Sequence, residues 1–306
     1  MIRDTVDRAR SLVPAERLRI LAGDHLAEPF HRALPDLPHS SYLVEPQAKG
    51  TCPVLAWAAW EIAREDPEAV IVSLHADHLI RPLEAFQKTV RDAVRVAREH
   101  DVLLTVGVPP DRVETGFGHI EPGARLDDGV DAWRVETFHE KPDAETARRY
   151  MDAGYLWNSG IFVWRASVFL GEVERHASEV ASALPRLEEG PSAFFEEVPA
   201  CVVDTAVLER SESVAMVRAT FAWDDVGGWE ALARVREADG DGNVLEGDAT
   251  VVDGHGNLAY ADAGRIVVFG VDDLVVVRTG DTTLVTARER APDLKFLLSR
   301  LEDSAS

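Results

Sequence analysis

Short β-branched runs alternate with amphipathic stretches through the first two thirds of this chain, and no other feature narrows its fold as much. Residues 18–22, 69–74 and 102–107 read as buried strands. Between them, residues 25–34, 54–64 and 83–98 space their apolar side chains for helices. The rhythm is βαβ, which predicts a Rossmann-like α/β domain, a mostly parallel sheet with helices on both faces. Ligands of such sheets bind beyond the carboxyl ends of the strands. After the helix carrying residues 229–235 the pattern changes. Residues 239–243 form a turn-rich linker, and short apolar runs at 250–252, 266–269, 274–278 and 283–285 follow, punctuated by Gly and Asp. Residues 1–238 are therefore expected to form one domain and 239–306 a small all-β unit. A helix at about 292–301 should close that unit, with residues 302–306 frayed. No internal repeat is evident in so short a segment.

Lys and Arg total 32 against 54 Asp and Glu, a formal net charge of -22. A chain so acidic is not built to hold nucleic acid or an anionic membrane. The same field repels a nucleoside triphosphate, so a phosphorylated substrate requires Mg²⁺ and a few well-placed basic side chains. Two cysteines, Cys52 and Cys201, make no disulfide framework. The charged start of the sequence, and apolar runs far short of the ~18 residues of a membrane span, point to a cytoplasmic protein.

Several polar residues stand where chemistry would need them. Asp77 follows the strand at 69–74, at the carboxyl edge, where a carboxylate is a hard oxygen ligand for Mg²⁺. A helix cap or turn is the plainer alternative. Asp224 and Asp225 lie in a Gly-containing turn, and two acids from distant segments can clamp one Mg²⁺. Glu140-Lys141-Pro142 ends one apolar strand, and Trp157-Asn158-Ser159-Gly160 puts an amide and a hydroxyl into another. Only four basic residues are lysines (Lys49, Lys88, Lys141 and Lys295), and two of them fall at suspected pocket positions. A compact ammonium suits a phosphate approached end-on.

Glu-Lys-Pro, Trp-Asn-Ser-Gly and Trp223-Asp224-Asp225-Val226-Gly227-Gly228-Trp229 together resemble the sugar-nucleotide pyrophosphorylases, particularly the mannose-1-phosphate guanylyltransferases. The resemblance runs from Thr5 to Leu301. It implies a nucleotidyltransferase that makes GDP-mannose and pyrophosphate from GTP and mannose 1-phosphate. It also implies that Asp77 and Asp225 are the Mg²⁺ ligands, that Lys141 contacts the sugar phosphate, and that Glu140 and Asn158 bond sugar hydroxyls. Residues 114–120 resemble the family's glycine strand, in which Gly118 lets backbone lie against the sugar. Residues 43–53 resemble the base-recognition loop, so Glu45 would accept from guanine N1 and N2 and Thr51 would bond nearby. The loop departs from the family pattern at Lys49 and Gly50, in place of Arg and Asn. The small β unit is a candidate homodimer surface.

The family's first strand leads into a loop of the form Gly-Gly-x-Gly-x-Arg-Leu that cradles the triphosphate. No such segment lies in these residues, and Met1 to Arg10 resemble the helix that follows it. The resemblance implies that roughly forty to fifty residues, with the first strand, are missing. Apolar surface and unpaired strand edges should then be exposed. Two further readings stay open: a noncatalytic sugar-nucleotide binder, and a pyrophosphorylase for another hexose 1-phosphate and nucleoside triphosphate.

Overall fold

The computed structural model describes residues 1–127, 129–294, 296, 297, 300 and 301. Contacts divide the chain into two compact units: Met1–Ala76 with Ile80–Trp223, and Asp77–Leu79 with Asp224–Ser306.

In chain order, α1 (Ile2–Arg10), β1 (Ile20–Gly23), α2 (Asp24–Ala33), β2 (Tyr42–Glu45), α3 (Thr51–Glu65), β3 (Val70–Ser73) and β4 (His78–Arg81) come first. Next are α4 (Leu83–Glu99), β5 (Leu103–Val108), β6 (His119–Asp127), β7 (Ala132–His139), α5 (Ala144–Asp152) and β8 (Leu156–Arg165). The helices α6 (Ala166–His176), α7 (Ser178–Ala181) and α8 (Pro191–Glu197) lead to β9 (Val214–Arg218) and β10 (Ala222–Asp225). Six strands form the main sheet of the first unit in the order β3-β8-β5-β9-β7-β6, with β6 also bonded to β8. β5 is parallel to β9 and antiparallel to β8, while β3 opposes β8 and β7 opposes both β9 and β6. Four strands (β3, β5, β9 and β6) thus run one way, against β8 and β7.

The sequence periods explain the layers. All six residues of β5 are buried, as a central strand covered on both faces requires. Helix α4 buries Phe86, Val90, Ala93 and Ala97, a stripe at helical spacing that packs on one face. Against the other face, Trp57 of α3, Phe169 of α6 and Phe194 and Phe195 of α8 join Trp164 and Leu103 in one core. The residues of β1 bond to β2 alone and those of β3 to β8 alone among the described residues. A cavity of about 1220 Å³, lined by Ile20, Leu21 and residues 70–74 among others, lies against both strands. All four residues of β3 are half-buried.

Residues 114–118 do not form the expected glycine strand. The amide of Gly116 turns back onto Glu114 Oε1 at 3.0 Å, and the strand begins only at His119.

The second unit contains α9 (Trp229–Val235), β11 (Val244–Glu246), β12 (Ala249–Val252), β13 (Leu258–Ala261), β14 (Ile266–Phe269), β15 (Leu274–Thr279) and β16 (Thr282–Ala287). β11, β13 and β15 stack in parallel as one sheet and β12 and β14 as another, while β16 closes the first sheet as an antiparallel hairpin. This is a parallel coil, and it does contain a repeat. Gly242-Asn243 recurs as Gly256-Asn257, and the corner glycines Gly247 and Gly264 both have positive φ. A Cβ on Gly247 would lie 1.9 Å from the Ala261 carbonyl oxygen, so only glycine fits that corner. Helix α9 belongs to this unit by its contacts, because Trp229 and Ala233 pack on Leu258 and Val275. Where the sequence suggests a closing helix, residues 288–293 are 3₁₀ and residues 294, 296, 297, 300 and 301 are helical. Lys295 and the tail 302–306 lie outside the described residues.

Two buried asparagines hold the turns of the coil together. Asn243 Nδ2 donates to Gly254 O at 3.0 Å, Asn257 Nδ2 donates to Val271 O at 2.9 Å, and Asn257 Oδ1 accepts from Leu274 N at 3.0 Å. Asn257 is completely buried, so removing its amide takes their partner from the Val271 carbonyl and the Leu274 amide. Asn257→Ala is expected to destabilise the second unit by about 2–4 kcal/mol, read as a lowered denaturant midpoint. An unchanged midpoint would contradict this role.

Candidate functional site

The first unit's polar cluster begins with a miscount between two strands. β5 and β8 pair Gly107 with Asn158 and Thr105 with Phe162, so two extra residues of β8 must bulge out between those pairs. Ser159 and Gly160 make the bulge possible. The Ser159 hydroxyl donates to Val106 O at 2.7 Å and accepts from Ile161 N at 3.2 Å, and Gly160 takes φ +69°. A Cβ on Gly160 would stand 2.8 Å from His75 Nε2.

The bulge fixes Asn158, which is almost wholly buried. Its Oδ1 accepts from Thr105 Oγ1 at 2.7 Å and from Gly160 N at 3.2 Å, and its Nδ2 donates to Asp204 Oδ1 at 2.9 Å. The backbone amide of Asn158 donates to Gly118 O at 2.8 Å. A Cβ on Gly118 would lie 2.9 Å from Glu140 Oε2 and 3.3 Å from Asn158 Cβ, so Gly118 is the point where those two side chains close in. Glu140 and Lys141 follow β7 directly. Lys141 Nζ donates to Glu140 Oε1 at 2.5 Å, and the Glu140 backbone amide donates to Glu209 Oε1 at 3.0 Å. Lys141 has φ +48° although it bears a side chain and precedes Pro142. Both facts disfavour that backbone, at a cost of about 1–3 kcal/mol. His119 beside this cluster is buried, which holds its imidazole below the usual range and therefore neutral.

Asp204 completes the cluster, and the sequence reading missed it. It opens a short π-helix, Asp204–Leu208, a form common at functional sites. Burial pushes its carboxyl up to about 6 and the nearby Glu140 charge adds to this, while Lys141 and the Asn158 amide pull the other way. The available signal was a lone acid inside the apolar run Val202-Val203-Asp204-Thr205-Ala206-Val207-Leu208.

The predicted base loop meets the strap formed by residues 201–204, which carries Asp204. Gly50, the N-cap of α3, sits at φ +84°, and a Cβ there would lie 2.4 Å from Cys201 O. That explains glycine at the position where the loop departs from the family pattern. Cys201 N donates to Lys49 O at 2.9 Å and Val203 N donates to Thr51 Oγ1 at 3.0 Å. Burial lifts the Glu45 carboxyl above its ordinary range, opposed by the nearby His25. Neighbouring residues 203 and 204 therefore hold Thr51 and Asn158 respectively.

In the second unit the Val226 amide donates to the Asp77 carbonyl at 3.2 Å, which brings the backbone of Asp77 alongside that of Asp225 and Val226. Asp77 is exposed and Asp225 half-buried. Gly227 leaves room for Asp225, whose Oδ1 would be 3.1 Å from a Cβ there. Asp224 is held by Arg234 through two bonds of 2.9 and 3.1 Å. Asp77 and Asp225 each carry a carboxylate, the kind of oxygen donor that a hard divalent cation prefers.

Residues 5–242 match the family described as "Nucleotidyl transferase", and residues 247–301 match the "MannoseP isomerase/GMP-like beta-helix domain". The chain is 34% identical over 280 residues to the alginate biosynthesis protein AlgA of Pseudomonas aeruginosa, spanning 87% of this chain and 58% of that protein. It is 34% identical over 319 residues to an Escherichia coli mannose-1-phosphate guanylyltransferase, spanning 99% of this chain and 67% of that one. A Thermus thermophilus crystal structure, described as a mannose-1-phosphate geranyltransferase, superposes with a TM-score of 0.88 at 32% identity, covering 98% of this chain and 89% of the other. No described helix is long and apolar enough to cross a membrane.

The raised Asp204 carboxyl has a consequence for stability. It titrates near 6 when folded and at its ordinary value of 3.8 otherwise. Between those values the folded chain holds a proton that the unfolded chain has released, so stability falls as pH rises through the window, by about 3 kcal/mol in all. Asp204→Asn removes that loss. The variant should match the wild type near pH 4 and exceed it above pH 7, read as urea midpoints across the range. Parallel curves for the two proteins would contradict this.

Proposed function

This chain belongs to the nucleotidyl transferase family, and from that premise we propose that it makes GDP-mannose and pyrophosphate from GTP and mannose 1-phosphate. The grouping of Glu140, Lys141 and Asn158 near Gly118 supports the reading, because it offers an ammonium, a carboxylate and an oriented amide to one ligand. A phosphate oxygen of the sugar attacks the α-phosphorus of GTP, and the bond to the β-phosphate breaks to release pyrophosphate. Lys141 neutralises the attacking phosphate. Glu140 and Asn158 hold the hexose so that attack is in line. Glu45 and Thr51 take the guanine. Asp77 and Asp225 would hold Mg²⁺, which supplies Lewis-acid charge at the phosphate oxygens. Two reduced cysteines fit a protein that works in the cytoplasm.

The backbone of Lys141 supports this assignment. A lysine kept at positive φ before a proline costs stability that a glycine would restore, so its ammonium must matter where it stands. Lys141→Gly is expected to raise the unfolding free energy by about 1 kcal/mol while kcat/KM for mannose 1-phosphate falls by about 10² or more. Pyrophosphate release by the wild type with GTP, and its loss in the variant, test both. Turnover confined to another triphosphate and hexose 1-phosphate would overturn the substrate pair.

We also propose that two copies associate through the β12–β14 face of the second unit. Val252 stands opposite Phe269 there, with Val267 on the same strand, and these side chains are 44%, 68% and 62% exposed. Such a patch favours a partner. Light scattering should give twice the 33.6 kDa chain mass and, for Phe269→Asp, the single-chain mass. A monomeric wild type would end this part of the reading.

A further inference from the structure

We infer that Asp204 is a positioning residue that sets hydroxyl specificity, by fixing the Asn158 amide so that it can only donate to the sugar. This rests on the proposed reading that the pocket holds a hexose 1-phosphate.

An asparagine amide ordinarily offers a ligand either a carbonyl or an N–H. Here both acceptor positions of Asn158 Oδ1 are occupied, by Thr105 Oγ1 and Gly160 N, and one Nδ2 proton goes to Asp204. A single N–H remains. Rotating the amide by half a turn would aim Oδ1 at the Asp204 carboxylate and Nδ2 at the Gly160 N–H, which is repulsive on both sides. Above its titration near 6 the Asp204 carboxylate has no proton with which to accommodate the rotated form, whereas serine or threonine would have one. That difference accounts for an acid among the apolar residues of 202–208, next to the Glu140 charge.

The ligand chemistry follows from what is left. Glu140 can only accept when ionised, and Gly118 packs against both its Oε2 and the Cβ of Asn158. A hydroxyl seated between the two must accept from Asn158 and donate to Glu140. That polarity suits a sugar hydroxyl and rejects both a bare C–H and an ether oxygen, which cannot donate.

Three proteins test this: wild type, D204L and D204N. Each is titrated calorimetrically with mannose 1-phosphate and its 2-, 3- and 4-deoxy analogues. In the wild type at least one deoxy analogue should bind ten-fold or more weaker than mannose 1-phosphate. D204L should lose that ratio, to within about two-fold of unity. D204N supplies an N–H that can pair with the rotated amide, so its ratio should fall between those of the wild type and D204L. If D204L is insoluble, D204A removes the same carboxylate and carries the same expectation. A merely structural role would weaken every ligand in proportion and leave the ratio intact, which would overturn the proposal, as would a D204N ratio equal to that of the wild type. A wild type that binds no hexose 1-phosphate defeats the proposed activity and this inference together. A wild type that binds and discriminates, beside a D204L that does the same, defeats the inference alone.

Discussion

β8 runs against all three strands it bonds, and the polar cluster of the first unit depends on the two extra residues it carries opposite β5. A regular antiparallel register would send alternate side chains to opposite faces and bury Asn158 among apolar residues or turn it away. The bulge breaks that alternation at one point only. Ser159 supplies the hydrogen bonds the disrupted ladder lacks, and Gly160 supplies the backbone angle. The rest of the strand, from Ile161 to Trp164, returns at once to full burial. Polar precision is thus built into the most rigid part of the sheet rather than on a loop, where a 1 Å displacement would be cheap.

The segment from Cys201 to Asp204 extends that precision to a second set of residues. Its backbone meets Lys49, Thr51 and Cys52, and its one acid meets Asn158. Gly50 can approach Cys201 this closely only because it has no side chain. The strap therefore links the loop after β2 to the bulge of β8, two elements that share no backbone ladder. Movement of one is resisted by the other through adjacent residues.

Much of this was legible in the sequence, and the boundary between what was and was not has a physical cause. Strand β5 and helix α4 could be read because burial on a regular element imposes a period, and Phe86, Val90, Ala93 and Ala97 keep it. The pairs Glu140-Lys141 and Asn158-Ser159 stood out because polar groups at the ends or middle of apolar strands need a reason. Asp204 was not legible as a partner of Asn158, since the two are 46 residues apart and meet only through the fold. The loop at 114–118 was misread because glycines fit a strand bend and a side-chain-stapled turn equally well. The coil escaped notice because its turns differ in length: Val244 pairs with Leu258 but Leu258 with Val275, so Gly-Asn recurs once and then stops. A fixed period is what the eye detects, and parallel coils need only a fixed cross-section.

Charge presents the remaining problem, because a chain of net charge -22 would have to receive the anionic substrates proposed for it. Lys141 does not confront that field as a bare cation, since Glu140 already accepts from its ammonium. An anion that draws Lys141 away leaves Glu140 with both carboxylate oxygens able to accept hydroxyl protons. In the proposed reaction, phosphate and hydroxyl recognition would then be linked through one ion pair, each arriving group completing what the other displaces. The side chain of Glu140 is 16% exposed and that of Lys141 61%, so the ammonium can swing toward solvent while the carboxylate stays in place. The strained backbone at Lys141 is consistent with this division, because it points a flexible side chain outward from a residue whose neighbour is anchored by Glu209. An arginine would hold Glu140 through a planar fork and release it less readily, which is a reason for lysine here in a protein that otherwise favours arginine.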